Sequence, residues 1–135
     1  MQVTVILAVA LHVLTGVFWA GSTFTLARTD GALAERLFKP QMGAAVVAIA
    51  AGIVLWYLLH RGDPGPMEYV LAFGAGSALL AAGVQGVSCG PAIRKLASAD
   101  QAHALQLRKR MAMGQRIAAG LLAITVVCMA AARYV

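Results

Sequence analysis

The fold is decided by the stretch VTVILAVALHVLTGVFWAGSTFTLA, residues 3–27, which contains no Asp, Glu, Lys or Arg. About 20 consecutive apolar residues suffice for an α-helix to cross the hydrocarbon core of a bilayer. Three further segments, residues 41–59, 67–93 and 111–132, have the length and composition that such a helix requires. The sequence therefore predicts four transmembrane helices in a single domain that covers residues 1–135.

The connections between these segments are short, and their length predicts the topology. Consecutive helices joined by short connections lie antiparallel to each other. Only 12% of the residues are charged, whereas soluble domains carry about 25%. We expect an all-α protein, a four-helix antiparallel transmembrane bundle in contact with the lipid bilayer.

The basic residues predict how the bundle is oriented. Nine of the 11 Lys and Arg residues lie in or beside the first and third connections: Arg28, Arg36, Lys39, Arg94, Lys95, Arg108, Lys109, Arg110 and Arg116. Such connections face the cytoplasm, which predicts a multi-pass protein of a bacterial inner (plasma) membrane with both termini periplasmic. Because these residues flank apolar segments, the net charge of +6 indicates membrane orientation and not nucleic-acid binding. The basic run Arg108–Arg110 either serves this orientation alone or also attracts anionic lipid.

A single imidazole, that of His12, interrupts the first apolar segment. It lies about ten residues into the helix, which at about 1.5 Å per residue is near the middle of the bilayer. Gly16, Trp19 and Thr23 follow at positions i+4, i+7 and i+11, on the same side of the helix. A polar residue at this depth is expected to face the bundle interior and tends to be functional.

Three roles are consistent with His12. The first is that of an axial ligand of a haem b, with Gly16 making room for the macrocycle and Trp19 beside it. The second is that of a neutral histidine bonded to a neighbouring helix. In the third, it binds another metal or handles protons. The candidate cofactor-binding residues are therefore His12, Gly16 and Trp19, and His12 is the candidate metal ligand. At its depth the other helices offer Ser77 and Thr125, so a haem would be five-coordinate, capped by an unusual ligand or shared with another subunit.

Two further polar clusters are predicted at the helix ends. The outer ends carry the soft ligands Met1, His60, Met67, Cys128 and Met129, which suit Cu(I), and copper is the less favoured cofactor. The inner ends carry Gln41, Met42, Gln85, Ser88, Cys89 and Gln115, which either bond to one another between helices or line a pocket.

Small residues recur at every fourth position of the third segment: Gly74, Ala78, Ala82, Gly86 and Gly90. Such a pattern allows close helix packing, either within the chain or against a partner subunit or a flat cofactor.

The sequence has no Walker loop, nucleophile elbow, HExxH motif or carboxylate pair within a membrane segment, and whether it is an enzyme stays open. The second functional hypothesis is accordingly a non-catalytic accessory subunit, in a homo-oligomer or a larger membrane complex.

The stretch LHVLTGVFWAG, residues 11–21, resembles the first helix of CopD-like and HemJ-like membrane proteins, as do the later stretches ERLFKPQMGAAVVAIAAGIVLW and LLAITVVCMAAARY. The resemblance implies a four-helix membrane protein that handles copper (CopD-like), or one that binds haem and oxidises protoporphyrinogen (HemJ-like). His12 matches the first-helix histidine that ligates haem in HemJ-like proteins. The third-helix lysine of those proteins has no counterpart between Glu68 and Ile93.

Overall fold

A computed structural model describes residues 1–31 and 33–135 and confirms the all-α, four-helix architecture. The helices are α1 (Gln2–Ala27), α2 (Ala34–Leu59), α3 (Pro66–Leu96) and α4 (Gln101–Ala131), followed by a 3-10 turn at Ala132–Tyr134. Each of the four is long and apolar enough to cross a membrane. The chain is therefore a small integral membrane protein.

Two helices begin earlier than the sequence predicts. α2 starts at Ala34 and not at residue 41, so Pro40 lies inside the helix. α4 starts at Gln101 and not at residue 111, and the Asp100 carboxylate caps it by accepting the His103 N–H at 2.7 Å. Hydropathy marks the part of a helix that lies in lipid, and these two helices continue beyond that part. They do so at the end of the bundle that carries residues 28–31 and 97–100, here called the basic end.

The helices form a ring in which α1 packs on α2, α2 on α3, α3 on α4 and α4 on α1. The centre of the ring is built mostly of alanine; its buried residues are Trp19, Ala45, Ala48, Ala78, Ala81, Ala118 and Leu122. Side chains this small let the backbones approach, and close packing is what associates helices in lipid. The large apolar side chains point outward on every helix, as shown by Leu14, Val46, Leu80 and Val127, where they meet acyl chains.

The closest helix pair is α3 with α4. A Cβ built on Gly74 would lie 2.8 Å from the Cβ of Cys128, and one built on Gly114 would lie 2.6 Å from the Cβ of Ser88. These contacts occupy the two ends of the antiparallel pair. The predicted small-residue stripe does not form a single contact face, since Gly74 packs on α4 whereas a Cβ at Gly86 would meet open space.

The first connection is held against α4 at the basic end. Gly31 has φ +83°, and a Cβ there would lie 2.6 Å from the carbonyl oxygen of Arg108, so the turn requires glycine. Arg108 also pairs with Glu35 at 3.4 Å, and Arg116 Nε donates to the Ala27 carbonyl at the C-terminus of α1 at 3.1 Å. These contacts close the ring between α1 and α4.

Substituting Gly114 with Ala tests the close approach of α3 and α4. The added methyl overlaps the Ser88 side chain, and overpacking of this kind costs about 1–3 kcal/mol. We expect the midpoint of thermal unfolding in detergent to fall. Gly120→Ala is the matched control, because a Cβ there meets nothing within 4 Å and the change in helix propensity is the same. Equal midpoints for the two variants would contradict the packing.

Candidate functional site

A hydrogen-bond network crosses the bundle core with Gln85 of α3 at its centre. The Trp19 indole N–H donates to Gln85 Oε1 at 2.8 Å. Gln85 Nε2 in turn donates to Thr23 Oγ1 at 2.9 Å and to Gln115 Oε1 at 3.0 Å. A single amide on α3 thus connects α1 with α4.

A second part of the network joins Gln41 of α2 to Gln115 of α4. Gln115 Nε2 donates to Gln41 Oε1 at 3.0 Å, and Gln41 Nε2 donates back to Gln115 Oε1 at 3.3 Å. Gln41 Nε2 also donates to Thr23 Oγ1 at 2.9 Å, while the Thr23 hydroxyl donates to the Trp19 carbonyl at 2.7 Å. Gln115 further contacts Cys89 Sγ at 3.5 Å. All four helices are therefore linked through side chains that water does not reach.

The network is neutral and its amides are paired, which indicates a structural role. Thr23 and the three glutamines are 0% exposed. A fully satisfied polar network in a low-dielectric interior fixes one arrangement of the groups around it. Of the two predictions for the inner-end cluster, interhelical hydrogen bonding is the one found. The bonds of Trp19 and Thr23 to this inner-end cluster were not predicted, although their i, i+4 spacing places the two residues on one face of α1.

His12 lies outside this network, against α2. Its Nδ1 is 2.8 Å from the carbonyl oxygen of Ala48. Because a carbonyl oxygen only accepts hydrogen bonds, Nδ1 carries the proton, and in the neutral imidazole Nε2 then has a free lone pair. Hydrogen bonding of one ring nitrogen to a carbonyl is also how metal-binding histidines are commonly oriented.

The imidazole of His12 packs directly against Gly52 of α2. A Cβ built on Gly52 would lie 3.1 Å from Cε1 and 3.3 Å from Nδ1 of His12, so any side chain there would press on the ring. Sequence reasoning did not find Gly52, because a glycine within an apolar helix carries no signal of what packs on it.

The other ring nitrogen of His12, Nε2, is not fully enclosed by the bundle. His12 is half-buried, and Nε2 has no hydrogen-bond partner among residues 1–31 and 33–135 yet is not enclosed by them. The buried residues of α1 are Trp19, Thr23 and Leu26, all in its C-terminal half. The imidazole thus packs on α2 at the edge of the bundle and is only partly turned inward.

The structure separates the three predicted cofactor-binding residues. His12 and Gly16 are both partly exposed, and a Cβ at Gly16 would meet open space. Trp19 is 3% exposed and bonded to Gln85, so it lies in the core. The roles of all three toward a cofactor stay predictions.

Three of the residues proposed as further ligands have contacts with other parts of the bundle. Thr125 donates to the Gly74 carbonyl at 3.0 Å, Cys128 packs beside Gly74, and the His60 ring stacks on Trp56 with centroids 4.9 Å apart. Within the described part of the chain, no three His, Cys, Asp or Glu side chains are grouped to hold a metal ion. A site with one histidine ligand, such as a haem site, does not need such a group.

Comparisons with models of protein families, with curated proteins and with solved structures gave no match to this chain.

Replacing Gln115 with Leu tests the network. The change leaves the amides of Gln41 and Gln85 short of partners in the interior, and each unpaired group costs about 1–3 kcal/mol. We expect a clear fall in the midpoint of thermal unfolding. Gln106→Leu on the exposed part of α4 is the control and should leave the midpoint nearly unchanged. If both variants unfold alike, the network does not stabilise the fold.

Proposed function

We propose that this chain is a small protein of the bacterial inner membrane, related to the CopD-like and HemJ-like proteins, that holds a haem b through His12 in a redox or cofactor-handling role. The observation that carries the proposal is the bond from His12 Nδ1 to the Ala48 carbonyl. This bond fixes the tautomer and leaves the Nε2 lone pair free at the surface of α1, as an axial ligand requires.

The surroundings of His12 fit a flat macrocycle on the outside of the bundle. The open space beside Gly16 lies one turn from His12, while the alanine core and the glutamine network fill the interior. His12 and the open space beside Gly16 would hold the haem at the edge of the bundle, and the group would supply redox chemistry there. Copper is the weaker alternative, because two of the soft ligands of the outer ends have other contacts: His60 stacks on Trp56 and Cys128 packs beside Gly74.

An absorption spectrum of the purified protein tests the haem site. Protein expressed with ample haem should show a Soret band, and His12→Ala should abolish it, since the substitution removes the ligand. His103→Ala, which changes an exposed histidine on α4, should keep the band. A haem-replete preparation with no Soret band would overturn the proposal, and copper found by elemental analysis of such a preparation would favour the alternative metal.

Substituting Gly52 gives a second test, which leaves His12 itself unchanged. Gly52→Val should displace the ring from the Ala48 carbonyl and weaken or shift the haem spectrum. Gly43→Val, on the same helix where a Cβ meets nothing within 4 Å, should leave the spectrum unchanged. Identical spectra for the two variants would show that the orientation of His12 does not matter for the cofactor.

The second candidate function is that of a non-catalytic accessory subunit. It is favoured by α1, whose N-terminal half has no buried residue. In that half, the Nε2 atom of His12 has no hydrogen-bond partner among residues 1–31 and 33–135. A partner helix with a hydrogen-bond donor would satisfy that nitrogen. Constant co-purification with a large membrane enzyme, in the absence of haem, would support this function over the first.

The charge distribution supports a periplasmic position for both termini, and a topology reporter tests it. A reporter that is active only in the periplasm, fused after Val135, should be active, and the same reporter inserted in the third connection after Ser98 should be inactive. The opposite pair of results would reverse the proposed orientation.

A further inference from the structure

An apolar groove of about 610 Å³ runs along the outer surface of α3 and α4. Its lining includes Leu79, Gly83, Val87, Met113, Gly114 and Ile117, and Arg110 lies at the basic end. Gly83 leaves room on the α3 side of the groove, because a Cβ there would meet nothing within 4 Å. Its apolar lining suits an acyl chain, while its one charged residue is a cation.

Arg110 is held at the mouth of the groove by a break in the backbone bonding of α3. Pro91 has no N–H, so the carbonyl of Val87, four residues earlier, loses its helical partner. Arg110 Nη2 donates to that carbonyl at 3.5 Å. This contact places one nitrogen of the exposed guanidinium beside the groove.

Most of the hydrogen-bonding capacity of Arg110 is free for another ligand. A guanidinium has five N–H donors and suits the oxygens of a phosphate, and the long bond to Val87 uses one of them. The neighbouring arginines are engaged differently, with Arg108 paired to Glu35 and Arg116 bonded to the Ala27 carbonyl. Arg110 is also exposed, at the end of the bundle where the membrane segments give way to polar sequence, which is the level of lipid headgroups.

We propose that the groove of α3 and α4 binds an anionic phospholipid, with an acyl chain against Gly83 and the headgroup phosphate on the guanidinium of Arg110. Charge complementarity selects the occupant, because a cation at the end of an apolar groove matches a phosphate at the end of a hydrocarbon chain. The site lies on α3 and α4, away from His12, and does not depend on the function proposed for that residue.

The experiment measures the thermal unfolding of delipidated protein in detergent after adding phosphatidylglycerol or phosphatidylcholine with identical acyl chains. Phosphatidylglycerol should raise the midpoint by several degrees more than phosphatidylcholine. Arg110→Gln should remove this difference and Arg110→Lys should restore part of it. Lys109→Gln, which removes the adjacent exposed charge, is the matched control and should keep the difference.

A second pair of variants tests the groove itself. Gly83→Leu fills the groove and should abolish the preference for phosphatidylglycerol, whereas Gly76→Leu, on the same helix with open space around its Cβ, should not. Native mass spectrometry that counts retained phosphatidylglycerol gives the same comparison without relying on stability. Equal stabilisation by the two lipids, an unchanged response in Arg110→Gln, or an equal effect of inorganic phosphate alone would each overturn the proposal.

Discussion

The structure depends on one constraint, which is that polar side chains inside a membrane bundle must bond to one another. Gln41, Gln85 and Gln115 come from three different helices, and their amides are paired only when the helices have one rotation and one register. The alanine core alone would allow the helices to shift along one another, because successive turns present side chains of the same small size. The polar bonds therefore add specificity to a core whose packing supplies most of the contact. Such interhelical bonds average about 0.6 kcal/mol each in a membrane, so their value lies in the arrangement they select.

The glycines meet packing and backbone needs that differ from one position to the next. At Gly114 and Gly74 the missing side chain lets α3 and α4 approach. At Gly52 it admits a ring from another helix, and at Gly31 it permits a backbone conformation that other residues avoid. Three different physical needs are met by one residue type, which is why the small-residue pattern of α3 alone did not predict where the closest contacts occur.

Hydropathy and charge were enough to predict the helices, their number and their antiparallel order, because lipid imposes a length and a composition on each span. They could not predict where α2 and α4 begin, since Ala34 and Gln101 lie in polar sequence that is helical for local reasons such as the Asp100 cap. The inner-end glutamines could be identified from their depth, but their bonds to Trp19 and Thr23 depend on helix rotation. The contact of His12 with Ala48 and Gly52 likewise depends on how α1 and α2 are rotated about their axes, which no local pattern encodes.

The glutamine network also has a consequence for biogenesis. Gln115 lies on α4, which is synthesised after α2 and α3, and it completes the bonding of Gln41 and Gln85, which enter the membrane earlier. A chain interrupted before α4 would keep the bonds of Gln41 and Gln85 to Thr23 and Trp19 but would leave Gln41 Oε1 without its partner, and lipid offers no substitute. The polar bonding of the core is therefore complete only after α4 has inserted, so the insertion of the earlier helices and the completion of the network are separate steps.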